Sequence, residues 1–117
     1  MNSYLENMFS LKGKTAIVTG GGRGIGQVVA CGLAKAGAEV AIFVRTKYEE
    51  TVQMITEAGG KAYGMQVDVT DEAQVDAALA EVLRRSGSID IVFNNAGICI
   101  HEDTFKATIE QWREVID

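Results

Sequence analysis

Short, almost wholly apolar runs alternate along this chain with longer stretches in which apolar residues recur at helical spacing. Four runs rich in β-branched and aromatic residues predict strands at 14–19, 39–45, 61–69 and 89–93. The first two runs are of the kind found in strands buried on both faces of a sheet. Gly64 lies inside the third run and weakens that prediction, because glycine has no side chain to pack on a sheet.

Each of the first three strands is followed by a predicted amphipathic helix. The apolar stripe of the first helix consists of Ile25, Val28, Val29, Leu33 and Ala36. Gly37 is its expected end. The apolar residues of the second helix are Tyr48, Val52 and Ile55. Gly59 and Gly60 stop that helix.

The third helix has the clearest end signals. Thr70 is the predicted N-cap, and Asp71 and Glu72 place negative charge in the first turn, where the helix dipole favours it. Two arginines and then Gly87 close the helix. Its apolar face consists of Val75, Ala78, Leu79, Val82 and Leu83.

A fourth helix is predicted near the end of the chain. Thr108-Ile109-Glu110-Gln111 fits a capping box. The apolar spacing continues through Trp112, Val115 and Ile116. The chain stops at Asp117 inside this helix and without a C-terminal cap, so we expect it to be part of a longer protein.

Four alternations of strand and helix predict the fold class. Such units connect parallel strands by right-handed crossovers and place helices on both faces of the sheet. We therefore expect an α/β protein with a doubly wound parallel sheet and strand order 3-2-1-4. No linker, repeat or low-complexity tract divides residues 1–117, which are expected to form a single nucleotide-binding domain.

Composition narrows the range of partners. The 117 residues carry 11 basic and 16 acidic side chains, a net charge of −5, which disfavours nucleic acid as a partner. The longest apolar run, 96–100, is far below the roughly 20 residues that a membrane span needs. The first residues lack the basic and apolar pattern of a secretory signal, so a cytoplasmic protein without membrane partners is expected. Cys31 and Cys99 could form at most one disulfide.

The segment from Thr19 to Gly26 joins the first strand to the first helix and is rich in glycine. A helix N-terminus offers free N–H groups and positive partial charge, which suit a phosphate. Gly20 would make the tight turn, Gly24 would let phosphate approach the backbone, and Gly26 would let helix and strand pack closely. The alternative is a strand–helix turn that is merely permissive.

The glycine spacing is TGxxxGxG rather than GxGxxG, because position 27 is Gln27, and no Lys-Ser/Thr pair of a P-loop follows. Two further motifs occur in order, Asp68 between two valines and Asn94-Asn95-Ala96-Gly97 after the fourth strand. With these three motifs the chain resembles the short-chain dehydrogenase/reductase family, whose Rossmann-fold members bind NAD or NADP at the glycine turn. The cofactor-binding residues that the resemblance implies are Gly20, Gly22, Arg23, Gly24, Ile25, Gly26, Arg45, Asp68, Val69, Asn95, Ala96 and Gly97.

The later motifs also have a physical interpretation. Asp68 ends a strand on the ligand side of the sheet, where its carboxylate could accept a hydrogen bond from the adenine amino group; the alternative is a helix cap. Asn94 and Asn95 could tie neighbouring strands together through their amides. The resemblance implies that Asn95, with Ala96 and Gly97, also faces a cofactor ribose.

The end of the second strand bears on the choice of dinucleotide. An acidic residue there favours NAD, whereas arginine accommodates the 2′-phosphate of NADP. Val44 stands where NAD-specific relatives carry Asp, and Arg45 follows it. With Arg23 in the glycine turn, these residues favour NADP(H) over NAD(H). Alternatively, the two arginines are solvated and pair with Glu49 or Glu50.

The resemblance implies catalysis by a Ser, an Asn, and the Tyr and Lys of a YxxxK motif, all expected beyond residue 117. No tyrosine of this chain has a lysine at that spacing, so no residue of the chain is nominated as catalytic. His101 is expected to be a solvated loop residue, and Cys99 has no visible basic partner.

The expected function is an NADP(H)-dependent carbonyl–alcohol oxidoreductase to which this chain contributes the cofactor-binding half. The alternative from another class is a non-catalytic nucleotide-binding module. Segments 9–14 and 98–101 look like those of sugar-alcohol or ketose reductases, with 3-oxoacyl-carrier-protein reductases second. The resemblance also implies a homo-tetramer formed through helices that begin near residue 108.

Overall fold

All four predicted strands form, and they pair in parallel within one sheet. The computed structural model describes residues 10–20, 22, 24–94 and 97–105, the last range as a backbone path. The strands are β1 (Thr15–Thr19), β2 (Glu39–Val44), β3 (Lys61–Gln66), β4 (Ile89–Asn94) and β5 (Gly97–Phe105). Their order in the sheet is β3-β2-β1-β4-β5, which confirms the expected 3-2-1-4 arrangement of the parallel strands.

A helix follows each of the first three strands, as predicted. The helices are α1 (Gly24–Lys35), α2 (Glu49–Glu57) and α3 (Glu72–Ser86). The third strand is shorter than expected: it ends at Gln66 rather than at residue 69, because the chain then enters the turn at residues 69–70 that leads to α3. No helix among the described residues is long and apolar enough to span a membrane.

Alternate residues of the central strands pack on opposite faces of the sheet. Ile17 and Phe43 belong to the apolar cluster beneath α3, whereas Val18 and Ile42 belong to the cluster beneath α1 and α2. Both clusters are almost completely buried, so β1 and β2 are covered on both faces as their apolar runs predict.

The predicted apolar stripe of α1 is wrong in its first turns. Ile25 and Val28 are 75% and 71% exposed. The helix instead packs on the sheet through Gly26, Ala30 and Ala34. Small side chains let the helix axis approach the sheet closely, and this close approach determines which face is buried.

The N-cap of α3 is Asp71, not Thr70 as predicted. Its Oδ1 accepts hydrogen bonds from the backbone N–H groups of Ala73 at 3.0 Å and Gln74 at 3.3 Å. The hydroxyl of Thr70 is engaged elsewhere, with Asp68. The predicted C-terminus is confirmed, since Gly87 ends the helix with φ +83°.

A fifth strand follows β4 that the pattern did not predict. β5 pairs antiparallel with β4, and Gly97 lies opposite Asn94. The backbone of His101 therefore belongs to a strand and not to the expected loop, because the backbone of residues 97–105 pairs with that of β4. The helix predicted from Thr108 lies outside the described residues.

Gly64, which weakened the prediction of β3, has a packing role. A Cβ atom at Gly64 would overlap the aromatic ring of Tyr48, which precedes α2 and lies against the cluster beneath α1 and α2. The missing side chain thus makes room for the ring that joins α2 to the edge of the sheet.

Gly64→Ala is expected to lower the free energy of unfolding by about 1–3 kcal/mol, because the added methyl group displaces the Tyr48 ring. Urea denaturation of the purified protein measures this change. Gly32→Ala is the matched control: a Cβ there meets no atom within 4 Å. Within a helix this control should raise stability by about 0.5–1 kcal/mol. Equal effects of the two substitutions would contradict the packing role.

Candidate cofactor site

A cleft opens at the edge of the sheet where β1, β2 and β3 end. Its volume is about 630 Å³. The residues that line it come from these strand ends and the segments that follow them: Thr19, Gly20, Gly22, Phe43, Val44, Arg45, Thr46, Lys47, Glu50, Val67 and Val69. Four of the predicted site residues, Gly20, Gly22, Arg45 and Val69, are therefore brought together here. In open α/β sheets, ligands bind at this edge.

Two glycines of the turn adopt a backbone conformation that other residues avoid. Gly20 has φ +69° and its N–H donates to the carbonyl of Phe43 at 2.8 Å, which fastens the start of the turn to β2. Gly24 begins α1 with φ +63°, and a Cβ there would meet nothing within 4 Å. Glycine is required at 24 by the backbone angle, and the space beside that backbone is open. Gly26 is buried within α1.

Gly22 is a glycine for a different reason, which the spacing of the motif does not reveal. A Cβ at this position would overlap the carbonyl oxygen of Lys47 and lie 3.4 Å from Cγ1 of Val44. The glycine turn therefore packs directly against the segment 45–48 between β2 and α2. Any larger residue at 22 would push the two apart.

Arg45 leaves β2 at the mouth of the cleft. Its side chain is exposed, and its carbonyl accepts a hydrogen bond from Nε2 of Gln66 at 2.9 Å. The ion pairs found among the described residues join Glu81 to Arg84 and to Arg85, so pairing of Arg45 with Glu49 or Glu50 is not observed.

Thr46, Lys47 and Glu50 also line the cleft, and sequence reasoning did not place them there. Lys47 adds a second positive charge, and Glu50 adds one negative charge. The signal for Lys47 was present in the sequence as a second basic residue two positions after Arg45.

Asp68 lies beside a second, smaller cavity of about 290 Å³ that it shares with Arg45, Gln66 and Gln74. Its Oδ1 accepts from the hydroxyl of Thr70 at 2.6 Å and from the backbone N–H of Thr70 at 3.0 Å. These two bonds, with a smaller effect of Arg45, hold the pKa of the Asp68 carboxyl below its usual value. The side chain is therefore ionised and can accept further hydrogen bonds.

Gln74 holds the backbone beside this carboxylate. Its Oε1 accepts from the N–H of Asp68 at 2.9 Å, and its Nε2 donates to Oδ2 of Asp71 at 3.1 Å. The turn before α3 is thus fastened to the first turn of that helix. Asp68 closes the turn before α3, while Asp71 caps the helix.

The end of β4 lies next to β1 at the same edge. Asn94 is buried there, and the hydroxyl of Thr19 donates to the carbonyl of Phe93 at 3.5 Å. Gly97 is described as backbone at the start of β5. The other predicted site residues, Arg23, Asn95 and Ala96, lie outside the described residues.

The tyrosines whose side chains are described have structural partners. The hydroxyl of Tyr63 is hydrogen-bonded to Ser86 at 2.8 Å, and burial raises the pKa of Tyr63. The ring of Tyr48 packs over Gly64. Within the part of the chain that is described, no group of three or more His, Cys, Asp or Glu side chains could hold a metal ion.

These features fit a dinucleotide. Gly24 is exposed at the start of α1 and has open space beside it, so its backbone has room for a diphosphate. Arg45 and Lys47 add positive charge to the lining of the cleft at the end of β2.

Comparison with known proteins identifies the family of this chain. Residues 14–117 match the model of the short chain dehydrogenase family. The chain belongs to this family of oxidoreductases. Its Rossmann fold is shared with a solved dehydrogenase/reductase from Sinorhizobium meliloti 1021, with a TM-score of 0.78 and 35% identity over 97% of this chain and 46% of that one.

Curated relatives cover the same region. The uncharacterised oxidoreductase YgcW of Escherichia coli K12 is 43% identical over 100% of this chain and 45% of its own length. The 3beta-hydroxysteroid dehydrogenase 1 of Eggerthella lenta is 40% identical over 92% of this chain and 42% of its own length. The L-rhamnose 1-dehydrogenase (NADP(+)) of Thermoplasma acidophilum is 34% identical over 92% of this chain and 44% of its own length. The chain thus spans less than half the length of these three relatives.

Thr70→Val is expected to raise the pKa of Asp68 toward its usual 3.8, because the largest cause of its lowering is the Thr70 hydroxyl. The shift should be incomplete, since the backbone N–H of residue 70 still donates. A lowered pKa in the folded state means that this interaction stabilises the protein above the ordinary pKa and is lost as the pH falls through the folded value. An NMR titration of the Asp68 carboxyl carbon measures the change.

Arg45→Ala serves as the comparison for that titration. Its effect on the pKa of Asp68 should be smaller than that of Thr70→Val, because the guanidinium contributes least to the lowering. A larger rise in Arg45→Ala than in Thr70→Val would contradict the assignment of the cause.

Proposed function

We propose that this chain forms the cofactor-binding part of an NADP(H)-dependent oxidoreductase that interconverts a carbonyl and a secondary alcohol. The observation that carries the proposal is the cleft at the carboxyl ends of β1 to β3, with the glycine turn on one side and Arg45 on the other. Membership of the short-chain dehydrogenase family supports it.

The proposed contacts follow the cleft from α1 to α3. The diphosphate lies over the turn that contains Gly20, Gly22 and Gly24, beside Ile25 and Gly26 of α1. The adenine amino group donates to Asp68, next to Val69. A cofactor ribose lies on the other side, against Asn95, Ala96 and Gly97. The nicotinamide, when bound, supplies hydride transfer to or from the substrate.

Charge at the end of β2 supports NADP(H) over NAD(H). Val44 provides no carboxylate to repel a 2′-phosphate, and Arg45 and Lys47 provide two cations against the single anion Glu50. Arg23 is proposed as a further cation for this phosphate. A curated relative named for NADP(+) is 34% identical to this chain.

The proposed substrate is a polyol or ketose, with a 3-oxoacyl-carrier-protein as the alternative. The name of the L-rhamnose dehydrogenase supports a sugar as substrate, whereas the name of the 3beta-hydroxysteroid dehydrogenase refers to a different class of alcohol. The Ser, Tyr and Lys of catalysis are proposed to lie beyond Asp117. We further propose a cytoplasmic homo-tetramer.

The direct test measures binding and turnover with the full protein. Calorimetry with NADP⁺ and NAD⁺ should show saturable binding with preference for NADP⁺. The absorbance of NADPH should then fall in the presence of a ketose and not of an acyl thioester. Binding without turnover of any carbonyl would favour a non-catalytic module, and binding of neither dinucleotide would refute the proposal.

Arg45→Ala is expected to raise the dissociation constant for NADP⁺ roughly 10- to 100-fold, because one charge-assisted contact to the 2′-phosphate is lost. The dissociation constant for NAD⁺, which lacks that phosphate, should change less than about twofold. Arg84→Ala, which removes an exposed arginine from the last turn of α3, is the control and should change neither constant. Equal weakening of both dinucleotides by Arg45→Ala would refute the role in cofactor choice.

A further inference from the structure

Gln27, in the first turn of α1, joins the glycine turn to a different helix. Its Nε2 donates to Oγ1 of Thr51 at 3.0 Å and to the carbonyl of Gly22 at 3.4 Å. Position 27 is where a GxGxxG turn would have its third glycine, and glycine could make neither contact.

Thr51, the hydrogen-bond partner of Gln27 on α2, lies in a fixed position. Thr51 is completely buried in the first turn of that helix. The N–H of Val52 donates to the carbonyl of Tyr48 at 3.0 Å, which continues the connection from α2 into the segment 45–48. Gln27 itself is half-buried, so its hydrogen bonds are partly protected from water.

Gly22 is held from its other side by the same segment. Its Cα packs so closely on Lys47 that a Cβ would overlap the Lys47 carbonyl oxygen. Gly22 is therefore connected to the segment 45–48 in two ways. One connection is its direct packing on Lys47, and the other runs through the hydrogen bonds of Gln27 and Thr51. Both the glycine turn and this segment line the cleft.

We propose that Gln27 is a positioning residue that sets the distance between the glycine turn and the segment that carries Arg45 and Lys47. The proposal rests on the proposed function, because it concerns a ligand that reaches both parts. NADP⁺ is such a ligand, with its diphosphate at the turn and its 2′-phosphate at Arg45. The affinity for a ligand that contacts only the glycine turn, or only the segment 45–48, should not depend on Gln27.

The test compares NADP⁺ with 2′-AMP, which has the adenine and 2′-phosphate but no diphosphate. Gln27→Met preserves side-chain length and removes both hydrogen bonds. We expect the dissociation constant of NADP⁺ to rise roughly five- to tenfold and that of 2′-AMP to change less than about twofold. Gln53→Met is the matched control, because Gln53 is an exposed glutamine of α2 that bonds to Glu57 outside the cleft. It should change neither constant.

A second pair of variants tests the role of the Thr51 hydroxyl. Thr51→Val removes the hydroxyl and should reproduce the selective loss of NADP⁺ affinity, whereas Thr51→Ser keeps the hydroxyl and should restore it. Thr51→Val also carries the test should Gln27→Met fail to fold. Thermal unfolding of each variant reports changes in stability separately from binding.

The outcomes separate this proposal from the one on which it rests. If the unsubstituted protein binds NADP⁺ and Gln27→Met binds it equally well, the positioning role is overturned and the proposed function stands. Equal weakening of NADP⁺ and 2′-AMP, with a lower melting temperature, would make Gln27 merely structural and would also overturn it. If the unsubstituted protein binds no dinucleotide, the proposed function fails, and the role of Gln27 falls with it.

Discussion

Because β1 pairs in parallel with β2 on one side and with β4 on the other, the chain leaves these strands at the same edge of the sheet. The residues that follow each strand no longer pair with a neighbouring strand, so their backbone groups and side chains are available for other contacts. The glycine turn, the segment after β2 and the turn at Asp68 meet at that edge for this reason. The buried apolar residues on both faces hold the strands in place and so fix the positions of the strand ends that line the cleft.

Contact between the turn and its neighbour then shapes the cleft. Gly20 is hydrogen-bonded to β2, and Gly22 packs on the carbonyl of Lys47. These contacts leave the backbone at Gly24 facing open space. A phosphate-binding turn needs such a backbone, exposed to a ligand yet held by the protein on its other side.

Patterns within the chain predicted the fold well because burial on both faces leaves a clear signal. The parallel order, the three helices and the end of α3 at Gly87 all follow from apolar spacing and glycine placement. Choices between adjacent residues were less predictable. Thr70 and Asp71 are both good caps, and the hydrogen bonds of Thr70 to Asp68 decide between them. The antiparallel pairing of β5 with β4 was likewise not predicted from local patterns.

The candidate site was predictable where a residue's own backbone requires glycine. Gly20 and Gly24 stand at positive φ. Gly22 and Gly64 are instead required by distant groups, Lys47 and Tyr48, so their reasons become visible only once the chain has folded. The same holds for Gln27, whose partner Thr51 is 24 positions away.

The central claim is that a dinucleotide lies over the glycine turn. The most direct measurement is a titration of the isotope-labelled protein with NADP⁺, followed through its backbone amide resonances. The account predicts saturable shifts at Gly20, Gly22 and Gly24, and unchanged resonances at Gly59 and Gly87, which follow α2 and α3 at the far ends of those helices. Unchanged resonances in the glycine turn at saturating NADP⁺, or shifts confined to Gly59 and Gly87, would contradict it.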